Sequence, residues 1–242
     1  MLQFKDYQKT LNQSEDISSW TSHPHTQLGS NPGGVFTSGQ GEKHYVKFYH
    51  NPEQAKAEVA SAHVYETLGV PTLKPKLVNH KGHVGVASKW REDMSKVGPE
   101  HYKAPSEDMK HQLAKHYVAG ILTKNWDAVG SEYDNLMHSK ERGLTCVDLG
   151  GALHFRAMGG PKHYDGDIGE RKSYHDTQMN RPTATAFQHV SDDHARTALR
   201  GMMGVHEHDI AKTFHGVGLK NAAELTASFV SRRDKLKADL KL

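Results

Sequence analysis

Cysteine is almost missing from this chain. Cys146 is the only one among 242 residues, so no intrachain disulfide can form and a disulfide scaffold is excluded. Long apolar runs are missing too: stretches such as YVAGIL at 117–122 fall far short of the roughly 18 residues a membrane span requires. The opening MLQFKDYQKTLNQSED has no apolar core of signal-peptide length, and the expectation is a soluble protein of a reducing cytoplasm with no membrane partner. An excess of one charge is also lacking. Lys and Arg number 31 against 28 Asp and Glu, a net charge of +3, which is too balanced to mark a phosphate-tracking surface and makes nucleic acid an unlikely partner. What is plentiful is histidine, with 19 residues beside an apolar fraction of only 36%, so positive charge should rise markedly below about pH 6.5. A chain this long can bury about 70% of its unfolded surface, enough for one large domain or two lobes sharing a cleft.

Residues 1–27 are polar with Trp20 as the one large anchor, and they read as a loosely attached extension. From Leu28 the texture changes. GSNPGGVF, the turn-rich SGQGEK and the alternating HYVKFY predict a hairpin bracketing Gly39 and Gly41. In NPEQAKAEVASAHVYETLG, Asn51 is an N-cap, Pro52 fits the first helical position and Gly69 follows the end, which predicts a helix between them. HVGVASKW reads as a further strand. After Ser106, the four-residue recurrence of Met109, Leu113, Tyr117 and Ile121 predicts a second long helix, followed by the loop NWDAVGSEYDN and the short buried strand of GLTCVDLGG. From Ser191 onward the pattern is helical. The last helix carries Leu225, Phe229, Leu236 and Leu240 on one stripe, with SRRDKLK as a solvated basic face. The class is α+β.

Three groups carry chemistry. Glu58 shares a helix face with Ala55, Ala62 and Tyr65, so its carboxylate needs a partner, and Lys47 in the preceding strand is the nearest candidate; the alternative is a solvated Glu58 at the edge of the stripe. Gly29, Gly33 and Gly34 leave backbone amides open to phosphate oxygens, though Val35 and Phe36 stand where a Walker loop needs Lys and Ser or Thr. Asp127, Asn135 and Asp148 are hard oxygen donors suited to Mg²⁺, with one carboxylate to spare for orienting a hydroxyl.

The order of glycine loop, strand Lys, helix Glu, loop Asp then Asn, and strand-end Asp-x-Gly resembles the protein-kinase-like fold. The segments LGSNPGGVF, YVKFY with NPEQAKAE, GVASKW, NWDAVG and VDLGGALHFRAMG are similar to the HipA-like and phage-encoded atypical kinases, over roughly residues 28–160. The resemblance implies a two-lobed fold, with a small β-rich lobe with one helix at 28–92 and a mainly helical lobe at 93–242. It implies ATP and Mg²⁺ as cofactors. Lys47 would hold the α/β-phosphates with Glu58 fixing it, Asp127 would be the catalytic base, and Asn135 and Asp148 would bind the metal. The loop at Gly29, Ser30, Asn31, Gly33 and Gly34 would cover the phosphates, and backbone groups of Ser88, Lys89 and Trp90 would meet the adenine. The acceptor would be a protein serine or threonine or the chain itself, Ser30 being the position of autophosphorylation.

This chain departs from the common kinase pattern in lacking His-Arg-Asp, in placing eight positions between Asp127 and Asn135 where five are usual, and in having Asp148-Leu149-Gly150 for Asp-Phe-Gly. Asp134 is a competing base or ligand. An alternative from another class is a kinase-shaped protein without turnover, serving phage structure, assembly or binding, and nucleotidyl transfer from the same fold is a third. His23/His25, His80/His83 and His206/His208 with Asp209 each offer two metal ligands, yet no Cys joins them and no H-E-x-x-H occurs, so scattered surface histidine is the preferred reading. Cys146, in an apolar strand, reads as a core residue.

Overall fold

Six strands and one long helix fill the first third of the chain. The computed structural model describes residues 14–242. Strands β1 (Glu15–Asp16), β2 (Thr21–Ser22), β3 (Gly33–Thr37), β4 (Lys43–Phe48), β5 (Lys76–His80) and β6 (His83–Lys89) lie in the order β1-β5-β6-β4-β3-β2. All neighbours are antiparallel except the parallel β1–β5 pair. Alternation along β4 sends Val46 to one face and Lys47 to the other. Val46 joins Ile17, Trp20, Phe36, Val78 and Ala87 in a small apolar cluster.

Helix α1 (Pro52–Thr67) covers the opposite face, packing on β5 and β6. Its ends are those the sequence announces: the Asn51 side chain accepts from Glu53 N at 3.0 Å, and Gly69 leaves the helix at φ +73°. Ala55, Ala57, Ala60 and Ala62 are all buried. Small side chains on several sides let this helix be enclosed between the sheet and helix α7 (Glu207–Val217), to which Lys56 Nζ is tied through Gly218 O at 2.9 Å.

The rest of the chain is mainly helical. Strands β7 (Met94–Lys96), β8 (Leu136–Ser139) and β9 (Gly143–Cys146) form a second, antiparallel sheet. Around it stand α2 (Pro99–Lys103), α3 (Glu107–Leu122), α4 (Glu170–Ser173), α5 (Arg181–Phe187), α6 (Asp192–Met202) and α8 (Ala222–Asp239). Helix α3 is central. Ser106 caps it by accepting from Met109 N, Leu113, Tyr117 and Ile121 are buried, and it packs on α5, α6, α8 and β9. The expected α+β arrangement, a small sheet lobe ahead of a helical lobe, is present. Among the described residues no helix is long and apolar enough to cross a membrane.

Two expectations need correction. Residues 15–22 are built into the sheet through β1 and β2, with Ile17 fully buried and Trp20 nearly so; residues 1–13 of the expected extension lie outside the described residues. The reason is that the face of the sheet turned away from α1 also needs cover, and two large side chains in a polar segment supply it. A boundary at residue 28 would cut the hairpin formed by β2 and β3. The second correction concerns Arg232. It does not lie on a solvated face but has no exposed surface at all. Its guanidinium donates to Ile121 O at 2.8 Å, to Asp165 O at 3.2 Å, to Asp167 O and to the buried Glu170 carboxylate, tying α8 to the end of α3. Five donors in a planar fork suit four acceptors in one pocket, where an ammonium would not.

Arg232→Ala therefore leaves the buried Glu170 side chain without its guanidinium partner, and we expect a loss of about 3–5 kcal/mol in urea unfolding. Arg232→Lys should recover only part of it. A loss below about 1 kcal/mol in the alanine variant would show that the pocket can do without the ion pair.

Candidate active site

The site is built on the α1 side of β4. Lys47 points at α1, where Glu58 lies on the inner face, and Nζ donates to Glu58 Oε1 at 2.6 Å. Asp148 Oδ2 approaches the same ammonium to 3.0 Å. Lys47 and Glu58 are buried, while the Asp148 side chain is 38% exposed, toward the cleft. Burial alone would discharge the lysine; Asp148 and Glu58 outweigh that and hold its pKa well above the ordinary value. Burial pushes Glu58 upward, with Lys47 opposing.

Two supporting groups were not singled out from the sequence. Tyr49 donates its hydroxyl to the second Glu58 oxygen, and Gln54 donates to Gly150 O at 3.3 Å. The signal for both was available: Tyr49 lies two residues beyond Lys47 on the same strand face, and Gln54 four residues before Glu58 on the same helix face.

Asp127 and Asn135 come together despite their long spacing. Tyr133 N bonds Gly130 O and Asn135 N bonds Val129 O at 3.0 Å, a turn that takes up the extra residues. Asn135 Nδ2 then donates to Asp127 O at 2.7 Å and to Asp127 Oδ2 at 3.1 Å. Asp134 instead lies over Gly130, where a Cβ would sit 2.1 Å from its Oδ1. Burial raises the Asp127 pKa, opposed by the Asn135 hydrogen bond. Asp148 is delivered by the β8–β9 ladder: Leu136 faces Cys146, and Val147 N bonds Asn135 O at 2.9 Å. Gly151 eases this approach, since a Cβ there would sit 3.1 Å from Asp127 Cβ and press on it. With its Nδ2 engaged, Asn135 keeps Oδ1 as an oxygen donor, and Oδ1 and the Asp148 carboxylate are chemically suited to Mg²⁺.

The expected nucleotide contacts divide. Gly29, Ser30 and Asn31 sit on the open loop between β2 and β3, with nothing within 4 Å of a Cβ built at Gly29. Gly33 and Gly34 are glycines for packing reasons: a Cβ would lie 2.0 Å from Val46 O at the first and 2.8 Å from Thr26 Oγ1 at the second. Ser88 is buried in β6. Lys89 pairs with Glu42 at 2.5 Å, and Trp90 spends its backbone N–H on Lys43 O and its indole N–H on Glu92. Those three donors are thus committed within the small lobe. Cys146 is buried in β9, as expected of a core residue.

A residue that sequence reasoning missed joins the two loops. Lys162 is buried and donates from Nζ to Lys124 O and to Gly151 O, both at 2.5 Å, with the Trp126 ring 5.0 Å away. It thereby pins the segment before Asp127 to the segment after Asp148. No periodicity marks it, because it comes from the irregular stretch between β9 and α4.

A sheet lobe with a lysine–glutamate pair, followed by a helical lobe presenting loop and strand-end acids, is a kinase-like fold. It is similar to the crystal structure of the Helicobacter pylori proinflammatory kinase CtkA, at a TM-score of 0.51 over 95% of this chain and 100% of that one. Sequence identity is 12%, so the likeness is one of fold. No protein-family model and no curated relative matches the chain.

Burial pulls the Lys162 pKa from the ordinary 10.5 down to about 7. Between those values the unfolded chain binds a proton that the folded one does not, so Lys162 should make stability rise with pH, by up to about 1.4 kcal/mol per unit. Denaturation of the parent and Lys162→Met at pH 7 and 9 measures this. The difference should move in the parent's favour at the higher pH; a pH-independent difference would mean the ammonium stays charged.

Proposed function

We propose that this chain is an ATP- and Mg²⁺-dependent phosphotransferase, an atypical kinase of the HipA-like, phage-encoded type, acting on a protein hydroxyl or on itself. What supports this reading is the Lys47–Glu58–Asp148 ion triad, together with the Asn135–Asp127 hydrogen bonds, in a fold similar to that of CtkA. Lys47 would bind the α/β-phosphates, oriented by Glu58 with Tyr49 behind it. Asn135 and Asp148 would hold Mg²⁺, which when bound supplies positive charge against the transferring phosphoryl group. Asp127 would orient the acceptor hydroxyl and take its proton as the oxygen displaces ADP from the γ-phosphorus. The raised Asp127 pKa suits that task. Ser30, exposed on the loop between β2 and β3, would be the acceptor in autophosphorylation.

The two acids should fail differently. Asp148→Asn should weaken Mg-ATP binding, whereas Asp127→Asn should spare affinity and lower kcat by about 10²–10⁴-fold. Glu58→Gln should be milder than Lys47→Ala, and the latter should also lose stability, since it leaves Glu58 buried without its cation. Calorimetric titration of Mg-ATP beside single-turnover rates reads both effects. Equal loss of binding in the two aspartate variants would move Asp127 among the metal ligands. Nucleotide binding without any turnover in the parent would favour a kinase-shaped binding protein.

A further inference from the structure

None of the histidine pairs adjacent in sequence forms a convergent cluster among the described residues, but another set does. Glu107 and His111, one turn apart at the start of α3, meet His194 from the first turn of α6. One ligand atom from each lies within 4.8 Å of the others. The two imidazoles stand edge to face at 5.3 Å, and His194 Nε2 is 3.4 Å from Glu107 Oε2. We propose that Glu107, His111 and His194 form a binding site for a divalent transition metal of the zinc class, joining α3 to α6 outside the phosphotransfer site.

The donor set selects the metal. Two imidazoles and one carboxylate on three vertices suit zinc and its neighbours, which take nitrogen and accept four-coordination with one exchangeable position. Mg²⁺ prefers an all-oxygen octahedron and is a poor match. Room for the fourth ligand exists: His111 and His194 line a cavity of about 210 Å³ together with Leu68, Gly69 and Lys115.

One outer hydrogen bond is open to the metal-bound form. His194 Nδ1 lies 3.0 Å from Ser191 Oγ and 3.2 Å from Ser191 N. Without metal, Nδ1 accepts from Ser191 N–H and Nε2–H faces Glu107. With metal on Nε2 the ring proton moves to Nδ1 and is donated to Ser191 Oγ, the kind of bond that fixes a ligating imidazole, while Ser191 N–H gives up its bond to Nδ1. The cation would meet the positive ends of two helices, yet Glu107 and Asp108 on α3 and Asp192 and Asp193 on α6 offset them. Lys110 pairs with Glu107 Oε1 at 2.6 Å, and the other oxygen, Oε2, is the one that faces His194.

The test uses the untagged full chain, stripped with chelator and titrated with Zn²⁺ by calorimetry in excess Mg²⁺, which occupies the oxygen sites of the cleft. One equivalent should bind, and Tm should rise by about 5 °C at saturation. His111→Ala, whose side chain makes no hydrogen bond that another residue depends on, should weaken binding at least tenfold, as should Glu107→Gln. The double variant His80→Ala/His83→Ala, the control for scattered histidines, should bind as the parent does. Co²⁺ in place of Zn²⁺ should give the intense visible bands of a four-coordinate site, lost in His194→Ala. Binding that survives His111→Ala unchanged, that vanishes in the control, or that is absent from the parent would overturn the proposal.

Discussion

A single buried ammonium shared by two carboxylates sets the terms for this structure. Lys47 is out of water, and a lone lysine there would be discharged or would unfold the lobe. Glu58 and Asp148 prevent that, and they come from different lobes: one from the helix that covers the first sheet, the other from the end of the second sheet. The ion triad therefore fixes the relation of α1 to β4 and of the small lobe to the helical one. Tyr49 and Gln54 serve the same end, the first by occupying the spare Glu58 oxygen and the second by holding Gly150 beside Asp148. What looks like a set of site residues is also the electrostatic joint between the lobes.

That joint depends on packing at some distance from it. Helix α1 can press Glu58 against β4 only because its alanines allow close approach on several sides, and because the face of the sheet away from it is sealed by Ile17 and Trp20. On the other side, the loops bearing Asp127 and Asp148 are drawn together by Lys162, while the end of α3 that launches the first of them is clamped by Arg232 from the last helix. Each clamp is a basic side chain spending its N–H donors on backbone carbonyls at a helix end or in irregular segments, where no ladder exists to satisfy them. The C-terminal helix is thus part of the apparatus that shapes the cleft.

Legibility in the sequence followed the range of the interactions. Asn51, Pro52 and Gly69 declare α1 because caps act within a few residues, and the pairing of Glu58 with Lys47 could be inferred because strand and helix periods place both on inner faces. The Asp127–Asn135 approach was not readable from spacing, since a turn at Gly130 absorbs the excess and the count along the chain says nothing of that turn. Arg232 and Lys162 were out of reach for a different reason: their partners are carbonyls and acids dozens of residues away, and a basic residue on a helix looks the same in sequence whether its outer surroundings are water or backbone. That the Trp90 N–H bonds Lys43 O likewise depends on how β6 runs beside β4, which residue order does not show.

The charge balance of the cleft bears on why so polar an arrangement is kept. Around Lys47 stand Glu58 and Asp148, and Asp127 adds a third carboxylate whose pKa is raised in part by Asp148. One ammonium cannot neutralise three acids, and Asn135 lends Asp127 a donor without a charge. The residual negative potential lies where Asp148 opens to the cleft, so a divalent cation seated there would relieve the repulsion between the two aspartates and free Lys47 to turn from Asp148 toward a phosphate. In the proposed reaction the same lysine would then exchange one anionic partner for another at little electrostatic cost. Glu58, kept by Tyr49, would stay in place and hold the ammonium on the cleft side of the sheet throughout.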